Sequence, residues 1–370
     1  MVSREFQRAL RWAQRVIVAF TLLVTIAMGI KLLSGYYFTP DYTVFWTAAR
    51  LVMVHPEKIY DVHAMTVAQS EFIPPSGGPR PWAYPPTALL FFLPFSLLPF
   101  TASALAWLSV SMAAYVIAIR QFVSGRVLAF TVASPPIMFS ALPVQVSLLI
   151  GAAILAGMKM FSLRPRLAGA LIGVTACLKP QSVLLFPLYC IVRRNWNSLA
   201  AFLIAGICMI ALSLMLGPGL WIRWIYSLDD FNRAINEIGL IKRSMTPVGI
   251  AAQLGFGSLA TLIIQLAGVI LGLAFAIWSF RQDEVEIHIV GLVVGGLLCS
   301  PYAMYYELAP LAPIAAAMLF SQRPWGLVAS LPITTMAGMF SVPLMALGVF
   351  MDHNARAADG DPDALGHKLP

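Results

Sequence analysis

A few polar side chains interrupt an otherwise apolar chain where simple solvation does not account for them. They are Asp41, Glu57, Asp61 and His63, then Tyr84-Pro85-Pro86, Gln145, Lys179 with Gln181, Arg243 to Thr246, and Tyr302 to Glu307. Asp41 opens the string Asp-Tyr-Thr-Val-Phe-Trp-Thr-Ala-Ala-Arg soon after a long apolar run. A carboxylate so close to lipid is costly as structure, and its surroundings raise its basicity, which suits a proton acceptor. Its competing role is to cap the helix-like run Tyr42 to Val54, because Asp is a favoured N-cap. Lys179 separates two short apolar segments, and a cation at membrane depth is functional by default. The alternative for Lys179 is a snorkelling residue at a helix end. Glu307 is the only acid between Glu286 and Asp352, so inside a bundle it needs a partner such as Lys179.

Several chemistries lack their motifs. There is no Gly-x-x-x-x-Gly-Lys loop for a nucleoside triphosphate, no His-Glu-x-x-His and no Gly-x-Ser-x-Gly elbow. Cys177, Cys190, Cys208 and Cys299 each lie inside an apolar stretch without metal-type spacing, which predicts neither a disulfide framework nor a zinc site. The net charge of +8 is spread as short basic punctuation rather than one stripe, which argues against a nucleic-acid partner. No metal and no cofactor are expected.

The elements that must position these residues are membrane helices. The 370 residues are 59% hydrophobic and 11% charged, against roughly 25% charged in soluble domains. The composition predicts an all-α, polytopic integral membrane protein of about 10 to 12 crossings. Spans are expected near 16–34, 87–119, 127–142, 146–158, 167–178, 182–192, 198–217, 258–280, 287–299, 303–320 and 326–350. Within these, 87–119 carries Pro94 and Pro99 and divides readily, while 167–178 and 182–192 are short enough to suit broken helices lining a cavity. The Arg-rich start reads as a retained first helix with a cytoplasmic N-terminus. With that choice the N-terminus and the inner connections hold thirteen Lys or Arg against four acids, and the outer ones ahead of the tail eight against seven. The positive-inside rule therefore orients the chain in the cytoplasmic membrane, with the unusual polar residues on the outer face. One domain is expected over residues 1–350. Its long outer loops, 35–86 and 218–246, have the aromatic content of short interfacial helices, and a polar tail over 351–370 is expected to be disordered.

Taken in order, Asp41 to Arg50, Ile59-Tyr60-Asp61, Tyr84-Pro85-Pro86, Pro94, Leu98-Pro99-Phe100, Leu178-Lys179-Pro180-Gln181 and Ser300-Pro301-Tyr302 resemble glycosyltransferase family 87, formerly the DUF2029 family. The resemblance covers most of residues 35–310. It implies a GT-C type bundle that transfers a sugar, typically mannose, from a polyprenyl-phosphate donor to a glycan or glycolipid acceptor, with inversion. The partners it implies are that donor, that acceptor and membrane lipids. Family members include arabinofuranosyltransferases, so the sugar itself stays open. The histidine that follows the Ser-Pro pair in mycobacterial members is missing, and Tyr305, Tyr306 and Glu307 occupy that region.

An inverting transfer needs one carboxylate to take the acceptor proton, and Asp41 matches the family's first-loop aspartate. The phosphate leaving group needs cationic donors, for which Lys179 comes first and Arg243 and Arg80 second. Tyr84, Gln145, Gln181, Asp61, Tyr302 and Glu307 are the expected sugar and acceptor contacts. Four of them have a plainer alternative. Tyr84 suits an interfacial aromatic belt, Gln145 can satisfy a proline-broken backbone, Asp61 can order its loop, and Glu307 can simply pair with Lys179. The alternative to the whole reading is a multi-pass transporter or lipid flippase, which short proline-broken helices also suit.

Overall fold

Proline sets where many of the helices begin, because its fixed φ suits the first helical position and its missing N–H is not needed there. In the computed structural model, described for residues 4–33, 40–72, 80–321, 323–334 and 341–358, no strand occurs among the described residues. The first third of the chain forms α1 (Arg4–Leu33), α2 (Pro40–Val54), α3 (Val62–Gln69), α4 (Pro86–Ser96), α5 (Phe100–Ile119), α6 (Gly125–Val132) and α7 (Pro135–Ala141). There follow α8 (Ser147–Met160), α9 (Pro165–Leu178), α10 (Phe186–Val192), α11 (Trp196–Leu214), α12 (Gly219–Glu237) and α13 (Pro247–Gln253). The last elements are α14 (Ser258–Phe280), α15 (Val285–Cys299), α16 (Ala312–Phe320), α17 (Pro324–Thr334) and α18 (Ser341–Ala358).

Four of these, α1, α5, α11 and α14, are long and apolar enough to cross a bilayer. Several expected spans are instead chains of shorter helices. The stretch 87–119 divides at Pro99, which precedes α5, and 127–142 divides at Pro135-Pro136, since the residue before a proline avoids the helical region. The stretch 303–320 begins as a 3-10 turn, Tyr305–Leu311, that contains Pro310 before α16. Burial separates core from lipid-facing helices. Ile287, Ile289, Val290, Leu292 and Val294 of α15 are all fully or almost fully buried, the pattern of a central helix. By contrast α11 exposes Leu203, Ile204 and Ile207, and α14 exposes Leu262, Ile263, Leu266 and Ile270, as surfaces solvated by lipid do. The last helix corrects the expected start of the tail at 351: α18 runs to Ala358 because Asp352 and Arg356 are buried in ion pairs, while 359–370 lie outside the described residues. The Pro74 to Pro79 piece of the first loop also lies outside them.

Contacts sort the connections into two faces. Lys159 lies 4.0 Å from Glu286 and 5.0 Å from the Phe122 ring centroid, and Arg126 lies over Phe320. Arg193 donates to the Gln282 carbonyl at 3.2 Å. Arg323 faces Asp352 at 3.8 Å and Arg356 faces Glu284 at 3.2 Å. The turns expected inside are therefore gathered on one face, and the end of α18 joins them. The residues singled out for chemistry lie at the opposite ends of the same helices: Gln145 just before α8, Lys179 just after α9 and Ser300 just after α15.

The helix that ends at Lys179 is held by close approach to α11. A Cβ on Gly169 would collide with the backbone of Ser198, and one on Gly173 with the backbone of Phe202. Gly169→Ala is therefore expected to destabilise the protein by about 1–3 kcal/mol, as overpacking does. A lowered melting temperature in detergent checks this, and an unchanged one would show that α11 moves aside freely.

Candidate active site

Asp41 lies in the first turn of α2, where a negative charge suits the helix dipole. The helix already includes Pro40, two residues ahead of the Tyr42 start that an Asp41 cap would give. The carboxylate instead turns to partners from other parts of the fold. Gln145 Nε2 donates to Asp41 Oδ2 at 2.5 Å, and Arg80 Nη1 stands 3.6 Å from Oδ1. The start of α2 is pinned to the same loop, since the Tyr42 N–H donates to the Pro143 carbonyl at 3.2 Å. Between Pro143 and Gln145, Val144 holds φ at +55°. A β-branched residue in the left-handed region costs of order 1–3 kcal/mol, strain that the surrounding contacts must hold in place. The result is that Gln145, 4% exposed, is aimed at Asp41.

The Asp41 side chain keeps 35% of its surface exposed, so an acceptor can reach it. Dense protein around the rest of it nevertheless pushes its pKa above the ordinary 3.8 by desolvation. The Gln145 hydrogen bond and the charges of Arg80 and Lys179 pull partly the other way.

Lys179 terminates α9 because Pro180 follows it. The residue is extended, with φ −151° and ψ 89°, as the position before proline requires. Lys179 and Glu307 are 4% and 8% exposed, and Lys179 Nζ donates to Glu307 Oε1 at 2.6 Å. The Tyr306 ring lies 5.2 Å from the ammonium, a cation–π distance. Glu307 also accepts the Met304 N–H at 3.4 Å, which closes the 3-10 turn. Gln181, Ser147 and Glu307 line a small cavity of about 20 Å³, room for one water.

Tyr84 sits beside these groups. Burial, reinforced by the negative fields of Asp41 and Glu307, pushes its hydroxyl pKa up. Its ring packs edge-on against Phe45 at 5.2 Å, and its carbonyl accepts the Tyr60 hydroxyl at 2.9 Å. The charges of Lys179, Glu307 and Asp41 also reach Tyr302, whose ring lies 6.1 Å from Phe231 of α12. The fold thus brings Asp41, Arg80, Tyr84, Gln145, Lys179, Tyr302 and Glu307 to one region. Asp61 and Arg243 share no hydrogen bond or ion pair with these groups. Asp61 Oδ1 accepts the Ala64 N–H at 2.8 Å and so caps α3. Arg243 is exposed, one residue before Ser244, whose hydroxyl donates to the Ala303 carbonyl at 3.0 Å.

Two contributors were not visible in sequence. Nothing in the local string marks Tyr306 as the ring under Lys179, and a β-branched residue gives no hint that Val144 takes a positive φ. Among the described residues no three His, Cys, Asp or Glu side chains gather as metal ligands.

A family model for glycosyltransferase family 87 matches residues 82–301. The matched stretch contains Tyr84, Gln145, Lys179 and Gln181, while Asp41, Asp61, Tyr302 and Glu307 fall outside it. No curated protein and no solved structure matches the chain. The match spans more than half of the 370 residues, and the chain belongs to glycosyltransferase family 87.

Proposed function

We propose that this membrane glycosyltransferase takes a sugar, mannose first among the candidates, from a polyprenyl-phosphate donor. It transfers that sugar with inversion to a glycan or glycolipid acceptor, on the outer side of the cytoplasmic membrane. The observation that carries this reading is the Asp41 carboxylate: reachable from solvent, oriented by Gln145, and within the field of Lys179. Glu307 is committed to Lys179, which leaves Asp41 as the carboxylate open to an acceptor. A single base is what inversion requires, whereas retention would need a second carboxylate as nucleophile.

The acceptor hydroxyl gives its proton to Asp41 as its oxygen attacks the anomeric carbon from the face opposite the phosphate. The bond from that carbon to the phosphate oxygen breaks, and polyprenyl phosphate leaves with the electron pair. Arg80 and Lys179 offset the charge that develops on it. Tyr84, Gln181 and Tyr302 supply aromatic faces and hydrogen-bonding groups for the sugars.

The test is the full chain in lipid nanodiscs with polyprenyl-phosphate sugars and a panel of acceptors, in the presence of a chelator. Transfer with an inverted linkage is expected to proceed without added divalent cation. Activity that is lost in chelator and restored by magnesium or manganese would overturn the metal-independent mechanism. Absence of transfer from every donor, together with solute counterflow into liposomes, would replace it with a carrier.

A further inference from the structure

An open groove of about 720 Å³ runs between the first outer loop and α12, apart from the Asp41 cluster. On α12, Arg223, Ser227, Asp230, Ala234 and Glu237 recur at helical spacing and form one wall, with Tyr226 and Arg233 along the rim. The opposite wall is Glu57, Tyr60, Asp61 and His63. The floor is set by buried Tyr60, Ser227 and Ala234, while the charged groups and Tyr226 stay exposed above it.

Both walls are fastened to the segment that carries Tyr84. The Tyr60 hydroxyl donates to the Tyr84 carbonyl at 2.9 Å, and Trp224 Nε1 of α12 donates to the neighbouring Ala83 carbonyl at 3.2 Å. Tyr84 in turn feels the charges of Asp41 and Glu307. The Ala83–Tyr84 segment therefore links both walls of the groove to the Asp41 cluster. Neighbouring Ile222 and Ile225 on α12 are 61% and 59% exposed, which sets the groove beside lipid.

We infer that this groove binds the part of the acceptor glycan distant from the reacting hydroxyl, as an uncharged oligosaccharide. The inference rests on the glycosyltransferase reading of the Asp41 face. Four carboxylates face two guanidinium groups here, and one guanidinium, Arg233, is already paired with Asp230, so an anionic ligand is disfavoured. Carboxylates and guanidiniums that share hydroxyl hydrogen bonds, beside a tyrosine ring on which a sugar can stack, form a donor and acceptor set suited to neutral sugars. Binding energy gained there, remote from the chemistry, holds the acceptor hydroxyl at Asp41.

The test uses neutral trisaccharides of mannose, glucose and galactose as probes, with the full chain in nanodiscs, no donor present, and binding read by saturation-transfer NMR. At least one trisaccharide is expected to saturate the wild type. The variant carrying Tyr226→Ala and Glu237→Gln is expected to bind it about tenfold more weakly, with an unchanged melting temperature. Failure of all three trisaccharides to bind the wild type, or undiminished binding by the variant, would overturn the groove assignment. Because no turnover is required, groove binding that persists where no donor supports transfer would fault the transferase reading alone.

Discussion

Asp41→Asn is expected to lower kcat by about 10²- to 10⁴-fold while leaving the donor KM near its wild-type value. The amide keeps the size of the carboxylate and can still meet Gln145, so geometry survives and proton acceptance does not. A split of this kind, in kcat rather than KM, separates a base from a residue that only orders α2. Transfer that survives the substitution undiminished would remove Asp41 from the mechanism.

The same residue sets a pH dependence whose sign follows from its surroundings. Asp41 works ionised, so activity falls as acid protonates it. Burial raises its pKa, which places the midpoint of the acid limb of kcat/KM above the ordinary 3.8. Removing the Gln145 hydrogen bond, which favours the ionised form, moves that limb to still higher pH. A Gln145→Leu profile identical to that of the wild type would show that the limb belongs to another group.

Lys179→Met is the second large effect, and it carries two consequences that need to be separated. It leaves the Glu307 carboxylate buried without its cation, a situation that costs about 3–5 kcal/mol. It also removes the ammonium assigned to the donor phosphate. A lowered melting temperature alone would therefore report only the broken pair. The variant carrying both Lys179→Met and Glu307→Leu removes the stranded charge as well, and replacing both ions of a buried pair by apolar groups is often neutral. It is expected to recover most of the wild-type melting temperature while donor half-saturation stays at least about tenfold weaker. Wild-type donor affinity in that double variant would make the Lys179–Glu307 pair purely structural.

The pair illustrates how far the linear string reaches. A lone acid in a long acid-free stretch and a lysine between two short apolar segments each announce a buried charge, because a bilayer tolerates one only with a partner. That they meet at 2.6 Å across 128 positions follows from the ends of α9 and of the 3-10 turn lying together. The proline before α5 was equally legible as a break, whereas the Pro135-Pro136 division of the expected span 127–142 emerged only in the fold. Their effect on length, which turns expected single spans into chains of short helices, depends on neighbours that re-satisfy the freed backbone groups.

What the sequence by itself determined is the medium, the class and the division of the connections into two groups. An apolar composition requires lipid as solvent, basic turns divide the connections into two sets, and ordered short motifs mark family 87. Tertiary structure alone decided which polar groups share a site. It drew Asp41, Arg80, Gln145, Lys179 and Glu307 together and used Asp61 as a helix cap. It also folded the first eight residues of the supposed tail, 351–358, into α18 beside the buried Asp352–Arg356 pair, and set Tyr306 beneath Lys179. The physical reason lies in the range of the interactions. Hydropathy and proline geometry act within a few residues, whereas ion pairing, desolvation and the strained turn at Val144 depend on segments about a hundred positions apart that only packing brings into contact.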